Sequence, residues 1–160
     1  MNDDDALAVL DRCGEKLYGL LVRITLRRDV AQELLQELFV KLASAKGFTA
    51  ATDKDSYAFR AAIHLAMDWR KREAKRPMAR AAVEEATVLA TLIRDEQVQQ
   101  VLAGLEALTE LEREAFVLRY LEQMEYAEVG RRMGKTEHQA RGLCHRAIVN
   151  LRQLLGVSDE

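Results

Sequence analysis

The chain is poor in residues that interrupt helices and in residues that build metal or disulfide frameworks. Its 160 residues include one Pro, 8 Gly, 2 Cys and 3 His. Because Pro and Gly disfavour helix interiors and straight-chain residues suit them, the composition predicts an all-α fold. Cys13 and Cys144 follow no metal-ligand spacing, so we expect buried thiols of a reducing compartment, with no metal site and no cofactor.

Long apolar runs and a basic leader are also missing. No run approaches the ~18–20 apolar residues that cross a bilayer. The first ten residues, MNDDDALAVL, are acidic where a signal peptide is basic. We therefore expect a cytoplasmic protein with no membrane segment of its own. No nucleophile with its base, phosphate loop or pair of carboxylates in an apolar setting can be assembled, so an enzyme is not expected.

What the chain does have is an uneven distribution of charge around a net value of −2. Residues 60–76 carry six Lys or Arg against two acids, and residues 131–152 carry six against one acid. Two basic segments on an otherwise acidic chain indicate two contact points with a polyanion such as a nucleic acid. The alternative, that each is only a solvated helix face, stays open at this point.

Helical periodicity divides the chain into two small helical units. Apolar spacing predicts helices over residues 6–25, from an N-cap at Asp29 to residue 45, and from residue 55 or 56 into the first basic segment. Residues 46–56 are predicted to be a break. The units are assigned to residues 1–76 and 95–160, with residues 77–94 as a linker. In the second unit, Thr109 with Glu112 forms a capping box that opens a helix running through Leu121.

The second unit carries the spacing of a helix-turn-helix. Gly130 is small where two elements cross, Gly134 tolerates the turn, and Ala140 faces the core of the second helix. Thr136 with Gln139 is a second capping box, which predicts where that helix begins. Its inner face is predicted to hold Ala140, Cys144, Ala147, Ile148 and Leu151. Its outer face is polar and basic, so it suits base edges and phosphates of a major groove, although an ordinary helical hairpin would share much of this pattern.

Three segments together resemble the bacterial extracytoplasmic-function sigma factors of the sigma-70 family. Residues 108–155 are similar to the promoter-binding C-terminal domain of that family. Residues 29–42, DVAQELLQELFVKL, are similar to the helix that docks on the clamp of RNA polymerase. Residues 55–72, DSYAFRAAIHLAMDWRKR, are similar to the helix that melts and holds the minus-ten element. The resemblance implies a sigma factor that binds core RNA polymerase and directs promoter recognition, with a separate anti-sigma factor as a candidate regulator.

The resemblance also implies three groups of site residues. The minus-35 group on the recognition helix is Thr136, His138, Gln139, Arg141, His145 and Arg146. The minus-ten group is Phe48, Arg60, His64, Arg70, Lys71 and Arg72. The polymerase-binding group is Glu33, Gln36 and Glu37. Phe48 has two interpretations, because the only aromatic residue of the 46–55 loop can either stack on an unpaired base or plug the space under the loop.

Two other functions remain open from the sequence. The first is an autonomous helix-turn-helix regulator that binds DNA as a dimer without polymerase. The second is a sigma-like protein that sequesters a partner and never opens a promoter. Ile63 and His64 keep this second alternative open, because they stand where family members usually place Arg and Asn against DNA. Leu143 likewise occupies a position often held by Arg.

Overall fold

The computed structural model describes residues 3–74 and 96–156, and within these ranges every regular element is helical. The prediction of an all-α fold is confirmed. The described helices form two compact units, the first within residues 3–74 and the second within residues 96–156. The predicted linker, residues 77–94, and the last two cations of the first basic segment, Lys75 and Arg76, lie outside the described residues. In the described part of the chain, no helix is long and apolar enough to cross a membrane.

The first unit is built from three long helices and one short one. These are α1 (Asp3–Thr25), α2 (Arg28–Ser44), α3 (Lys46–Ala50) and α4 (Lys54–Ala74). Helices α1, α2 and α4 pack against one another in pairs. Their shared core contains Leu17, Leu20, Ile24, Leu38, Leu42, Phe59 and Ile63. Burying each such side chain contributes about 1.5–3 kcal/mol, so this core holds the exposed faces of α2 and α4 in fixed positions.

The helix starts of the first unit differ from the sequence predictions. The N-cap of α2 is Arg27, not Asp29. The Asp29 carboxylate instead accepts hydrogen bonds from Nε and Nη2 of Arg27 at 3.2 and 2.6 Å, and this guanidinium holds the pKa of Asp29 below its usual value. Helix α4 begins at Lys54, because Asp53 accepts hydrogen bonds from the backbone and hydroxyl of Ser56 at 3.0 and 2.6 Å. The predicted break is in part helical, as α3.

The second unit is centred on its last helix. Its elements are α5 (Glu96–Leu105), α6 (Glu110–Phe116), a π-helical turn (Val117–Leu121), α7 (Tyr126–Met133) and α8 (Glu137–Leu155). Helix α8 packs on α5, α6 and α7. The capping box of Thr109 and Glu112 is confirmed at the start of α6. The helix predicted to run evenly to Leu121 changes to π-helical geometry at Val117, which the apolar spacing did not indicate.

Candidate nucleic-acid interface

The turn between α7 and α8 needs both of its glycines. Gly134 has φ of 68°, a left-handed conformation that side chains rarely adopt. A Cβ on Gly130 would lie 2.7 Å from the Lys135 carbonyl oxygen and 2.9 Å from that of Thr136. The backbone of the turn therefore passes directly over Gly130, and Lys135 donates its backbone N–H to the Gly130 oxygen at 2.7 Å. The glycine spacing predicted from the sequence is confirmed, and it fixes the angle at which α8 leaves the turn.

The start of α8 is fixed by the second capping box. The Thr136 hydroxyl accepts a hydrogen bond from the Gln139 backbone N–H at 3.1 Å, and the Gln139 side-chain oxygen accepts one from the Thr136 N–H at 3.0 Å. This box is confirmed, and it occupies oxygen atoms of two predicted DNA-binding residues. The cap uses only the oxygen of the Gln139 amide, so its NH₂ group can still donate to a base edge.

The inner face of α8 differs from the prediction by one exchange of residues. Its buried residues are Ala140, Leu143, Cys144, Ala147 and Leu151. Leu143 belongs to this core, whereas Ile148 is only half-buried and lies on the outer groove described below. The Cys144 thiol donates to the Ala115 carbonyl oxygen at 3.6 Å, and burial raises the pKa of this thiol. Cys144 therefore acts as a packing residue, as predicted, and Cys13 is also buried.

The outer face of α8 presents the predicted minus-35 group to solvent. His138, Gln139, Arg141, His145 and Arg146 are all exposed. A groove with a volume of 540 Å³ runs along this face, between α8 and the start of α7. Two tyrosines, two histidines and two arginines line it: Tyr120, Tyr126, His138, His145, Arg141 and Arg152. Cations and aromatic rings at one exposed surface suit a polyanion with flat bases.

The two central arginines of this face are held differently. Arg141 donates from Nη2 to Glu137 Oε2 at 2.9 Å, and its Cζ lies 4.6 Å from the centroid of the Tyr126 ring. Arg146 lies with Nε 4.0 Å from Oε2 of Glu112, a buried carboxylate. More than half of each arginine side chain is exposed. The Arg141–Glu137 pair is exposed on both sides, and such pairs are weak, typically ~0–1 kcal/mol, so a phosphate or base can replace the Glu137 carboxylate.

The sequence reasoning missed the contribution of the two tyrosines. The sequence predictions gave no role to Tyr120 or Tyr126. Tyr120 is 42% exposed, and its ring centroid lies 4.9 Å from that of the buried Phe116. The π-helical turn and the α7–α8 geometry bring both tyrosines to the groove. The only local signal was an Arg-Tyr pair, Arg119 and Tyr120, ahead of a polar break.

In the first unit, four of the minus-ten candidates lie on α4: Arg60, His64, Lys71 and Arg72. Arg60, His64 and Lys71 are four and seven residues apart, so they share one side of the helix. Arg60 and His64 are half-buried, while Lys71 and Arg72 are exposed in its last turn. Cations at a helix C-terminus also favour the helix dipole, so this position alone does not make them DNA contacts.

Two members of the minus-ten group are held by contacts within the first unit. Phe48 is 0% exposed: its ring lies 5.7 Å from that of Tyr57, and the Lys54 ammonium is 5.9 Å from its centroid. This packing favours the plug interpretation, and in this structure no face of the ring is accessible for stacking on a base. Arg70 is half-buried and donates from Nη1 to the Ile24 carbonyl oxygen at 3.2 Å, at the end of α1. This hydrogen bond ties α4 to α1, so the expectation that Arg70 reaches a phosphate is not supported.

The predicted polymerase-binding group lies along one exposed stripe of α2. Glu33, Gln36 and Glu37 are all exposed, at the spacing that places side chains on one helix face. Val40 continues this stripe and is 57% exposed. The sequence predictions assigned Val40 to neither the core nor the polymerase-binding group. Single exposed apolar side chains are common on protein surfaces, so the polymerase-binding role of this stripe stays a prediction.

Comparison with protein-family models gives a sequence match within the second unit. Residues 104–153 match the model for sigma-70, region 4. The match begins at the end of α5 and includes α6, the π-helical turn, α7 and nearly all of α8. Comparison with curated protein sequences gives no significant match.

Comparison with solved structures extends the likeness to the first unit. The chain is similar to the sigma factor RpoE of Bartonella quintana, solved as a co-crystal with the anti-sigma factor NepR. The likeness covers 98% of this chain and 97% of RpoE, with a TM-score of 0.50 and 18% identity. At that identity the comparison shows a shared fold, and the shared fold includes the helices that carry all three groups of predicted site residues.

Proposed function

We propose that the chain is a sigma factor of the extracytoplasmic-function type in the sigma-70 family and that it acts in the cytoplasm. It binds core RNA polymerase and directs the enzyme to a dedicated set of promoters. The chemistry of RNA synthesis stays with the polymerase. The observation that carries the proposal is the region 4 match, because it ends on a capped helix with an exposed face of arginines, histidines and Gln139.

We assign the contacts to separate surfaces. The outer face of α8, with Arg141 and Arg146 at its centre, contacts the minus-35 element, because arginine pairs with base edges and phosphates through several donors. The α2 stripe of Glu33, Gln36 and Glu37 contacts the polymerase. Lys71, Arg72 and the exposed parts of Arg60 and His64 contact the minus-ten region. By analogy with the RpoE–NepR complex, a separate anti-sigma protein regulates the chain.

The first experiment is co-elution of the full chain with bacterial core RNA polymerase, followed by transcription from a genomic fragment library. Co-elution with discrete start sites supports the proposal and supplies the promoter motif. Co-elution without transcripts favours the sequestering protein. Binding to DNA as a dimer, with no co-elution, favours the autonomous regulator and contradicts the proposal.

Two double variants then separate the surfaces. Changing Arg141 and Arg146 to Ala should abolish promoter-specific transcription while the polymerase complex stays intact. Changing Glu33 and Glu37 to Ala should weaken the polymerase complex. Asp11 and Glu15 provide the matched control, since they are two exposed acids, four residues apart, on α1. If the Asp11/Glu15 variant weakens the complex equally, net charge rather than the α2 stripe controls binding.

A further inference from the structure

Two guanidinium groups share the ring of Tyr126. The Cζ atoms of Arg119 and Arg141 lie 4.3 and 4.6 Å from the ring centroid. Both distances are well within the ~6 Å at which a cation is attracted to an aromatic face. Arg119 belongs to the π-helical turn and Arg141 to the outer face of α8. The Tyr126 ring therefore connects the π-helical turn to the candidate recognition surface.

The ring itself is held from the side of the π-helical turn. Two backbone hydrogen bonds close that turn, from Glu122 N–H to the Val117 oxygen at 3.0 Å and from Met124 N–H to the Leu118 oxygen at 3.1 Å. Arg119 donates from Nη1 to the Met124 carbonyl oxygen at 2.9 Å, which fixes its guanidinium.

Tyr120, also in the π-helical turn, lines the groove together with Tyr126. Its ring packs on the buried Phe116. Burial raises the pKa of Tyr120, and a hydrogen bond with Tyr126 raises it further. The anchored guanidinium of Arg119 therefore holds the Tyr126 ring from the side of the π-helical turn.

This arrangement restricts Arg141 on an otherwise exposed surface. Arg141 has two partners within its own fold, Glu137 at 2.9 Å and the Tyr126 ring. The carboxylate competes with DNA for the same donors of the guanidinium, whereas the attraction between the cation and the ring needs none of its N–H donors. A stacked guanidinium keeps its edge donors for base atoms, and a side chain already ordered loses less entropy when it binds.

We propose that Tyr126 is a positioning residue, which holds the Arg141 guanidinium in the plane from which it reads one base pair of the minus-35 element. The inference rests on the proposed function, since it requires that α8 contacts promoter DNA. It concerns base preference at a single promoter position and does not require that Tyr126 itself touch DNA.

The test is the base preference of the full chain with core polymerase on a library randomised across the minus-35 element. Arg141→Ala identifies the position that Arg141 reads. Tyr126→Leu, which removes the ring, should flatten the preference at that same position by about tenfold, within the range for one lost arginine–base contact. Tyr126→Phe keeps the ring and should retain the preference. Co-elution with polymerase should be unchanged in both variants.

The outcomes separate positioning from general packing. If Tyr126→Leu lowers occupancy of every sequence equally and keeps the preference, Tyr126 is only structural and the inference is wrong. If Arg141→Ala itself leaves the preference intact, the minus-35 assignment fails and the inference fails with it. A wild-type chain that gives no promoter-specific signal instead refutes the proposed function.

A second variant keeps the test valid if Tyr126→Leu fails to fold. Phenylalanine with a fluorinated ring at position 126 keeps nearly the shape of Phe. Each fluorine makes the electrostatic potential at the ring face less negative, which weakens the attraction to a cation. Base preference at the Arg141 position should decline with each added fluorine relative to Tyr126→Phe. Equal preference across the fluorinated series would overturn the inference.

Discussion

Gly130→Ala tests whether the close approach of the turn to α7 decides the stability of the second unit. An added Cβ at position 130 lies 2.7 and 2.9 Å from two carbonyl oxygens of the turn, closer than carbon and oxygen atoms tolerate. The obstacle is backbone, so no side chain can rotate away. Gly142→Ala is the matched control in α8, where the new Cβ meets only Arg146 Nη1 at 3.6 Å, an ordinary contact.

The two variants share one energy term and differ in another. Replacing Gly by Ala inside a helix stabilises it by ~0.8–1.0 kcal/mol. Overpacking a rigid site costs ~1–3 kcal/mol. Gly142→Ala should therefore raise the free energy of unfolding. The free energy of unfolding of Gly130→Ala should be ~1–3 kcal/mol lower than that of Gly142→Ala, because only Gly130→Ala carries the steric cost.

The assay is urea unfolding of the full chain by circular dichroism, with hydrogen exchange of the α8 amides as a local readout. The local readout is needed because a chain of two units need not unfold in one transition. Gly130→Ala should also reduce promoter-specific transcription, since the displaced turn carries the Thr136 cap of α8. If Gly130→Ala is as stable as Gly142→Ala, the reasoning about the turn is refuted.

Two further predictions concern stability. Phe48→Ala should lower the free energy of unfolding by ~3–5 kcal/mol, as for a fully buried aromatic residue, and a neutral result in urea unfolding would contradict the plug interpretation. Arg131 and, after it, Arg132 lower the pKa of Glu128 below its ordinary value of 4.5, so the unfolded chain binds more protons than the folded chain at acidic pH. This stabilisation is present above that value and is lost as pH falls through the lower, folded pKa. Glu128→Gln should therefore flatten the acid side of the stability profile measured by thermal unfolding, and an unchanged profile would count against the ion pair.

The features that the sequence predicted well are local. The capping boxes at Thr109 and Thr136 depend on two residues three positions apart, and the turn depends on Gly130 and Gly134. Such features are determined by backbone geometry within one or two turns of helix, so residue type and spacing suffice. The all-α fold follows for the same reason, because every long segment has a helical apolar period.

The features that the sequence predicted poorly depend on contacts between distant segments. Phe48 was ambiguous because only the packed fold places Tyr57 and Lys54 around its ring. Arg70 was assigned to phosphate by its neighbours in a basic run, yet it reaches a carbonyl 46 residues away. Tyr120 reaches the groove through a π-helical turn, and such turns have no residue pattern that distinguishes them from an α-helix.

The same limit applies to the electrostatic argument. Residues 131–152 contain six cations and one acid, but the fold brings in Glu112 and Glu128 from outside that segment. Arg131, Arg132, Arg141 and Arg146 each have a carboxylate within 4.0 Å.

Each such carboxylate opposes the release of counterions on which nonspecific DNA binding depends. The second unit is consequently a weaker polyanion ligand than its sequence indicates. A weak ligand becomes effective when another contact holds it beside DNA, because the second binding event is then intramolecular. A polymerase bound to the α2 stripe would provide that contact, so the charge pairing on α7 and α8 favours a subunit that acts with polymerase over a regulator that acts alone.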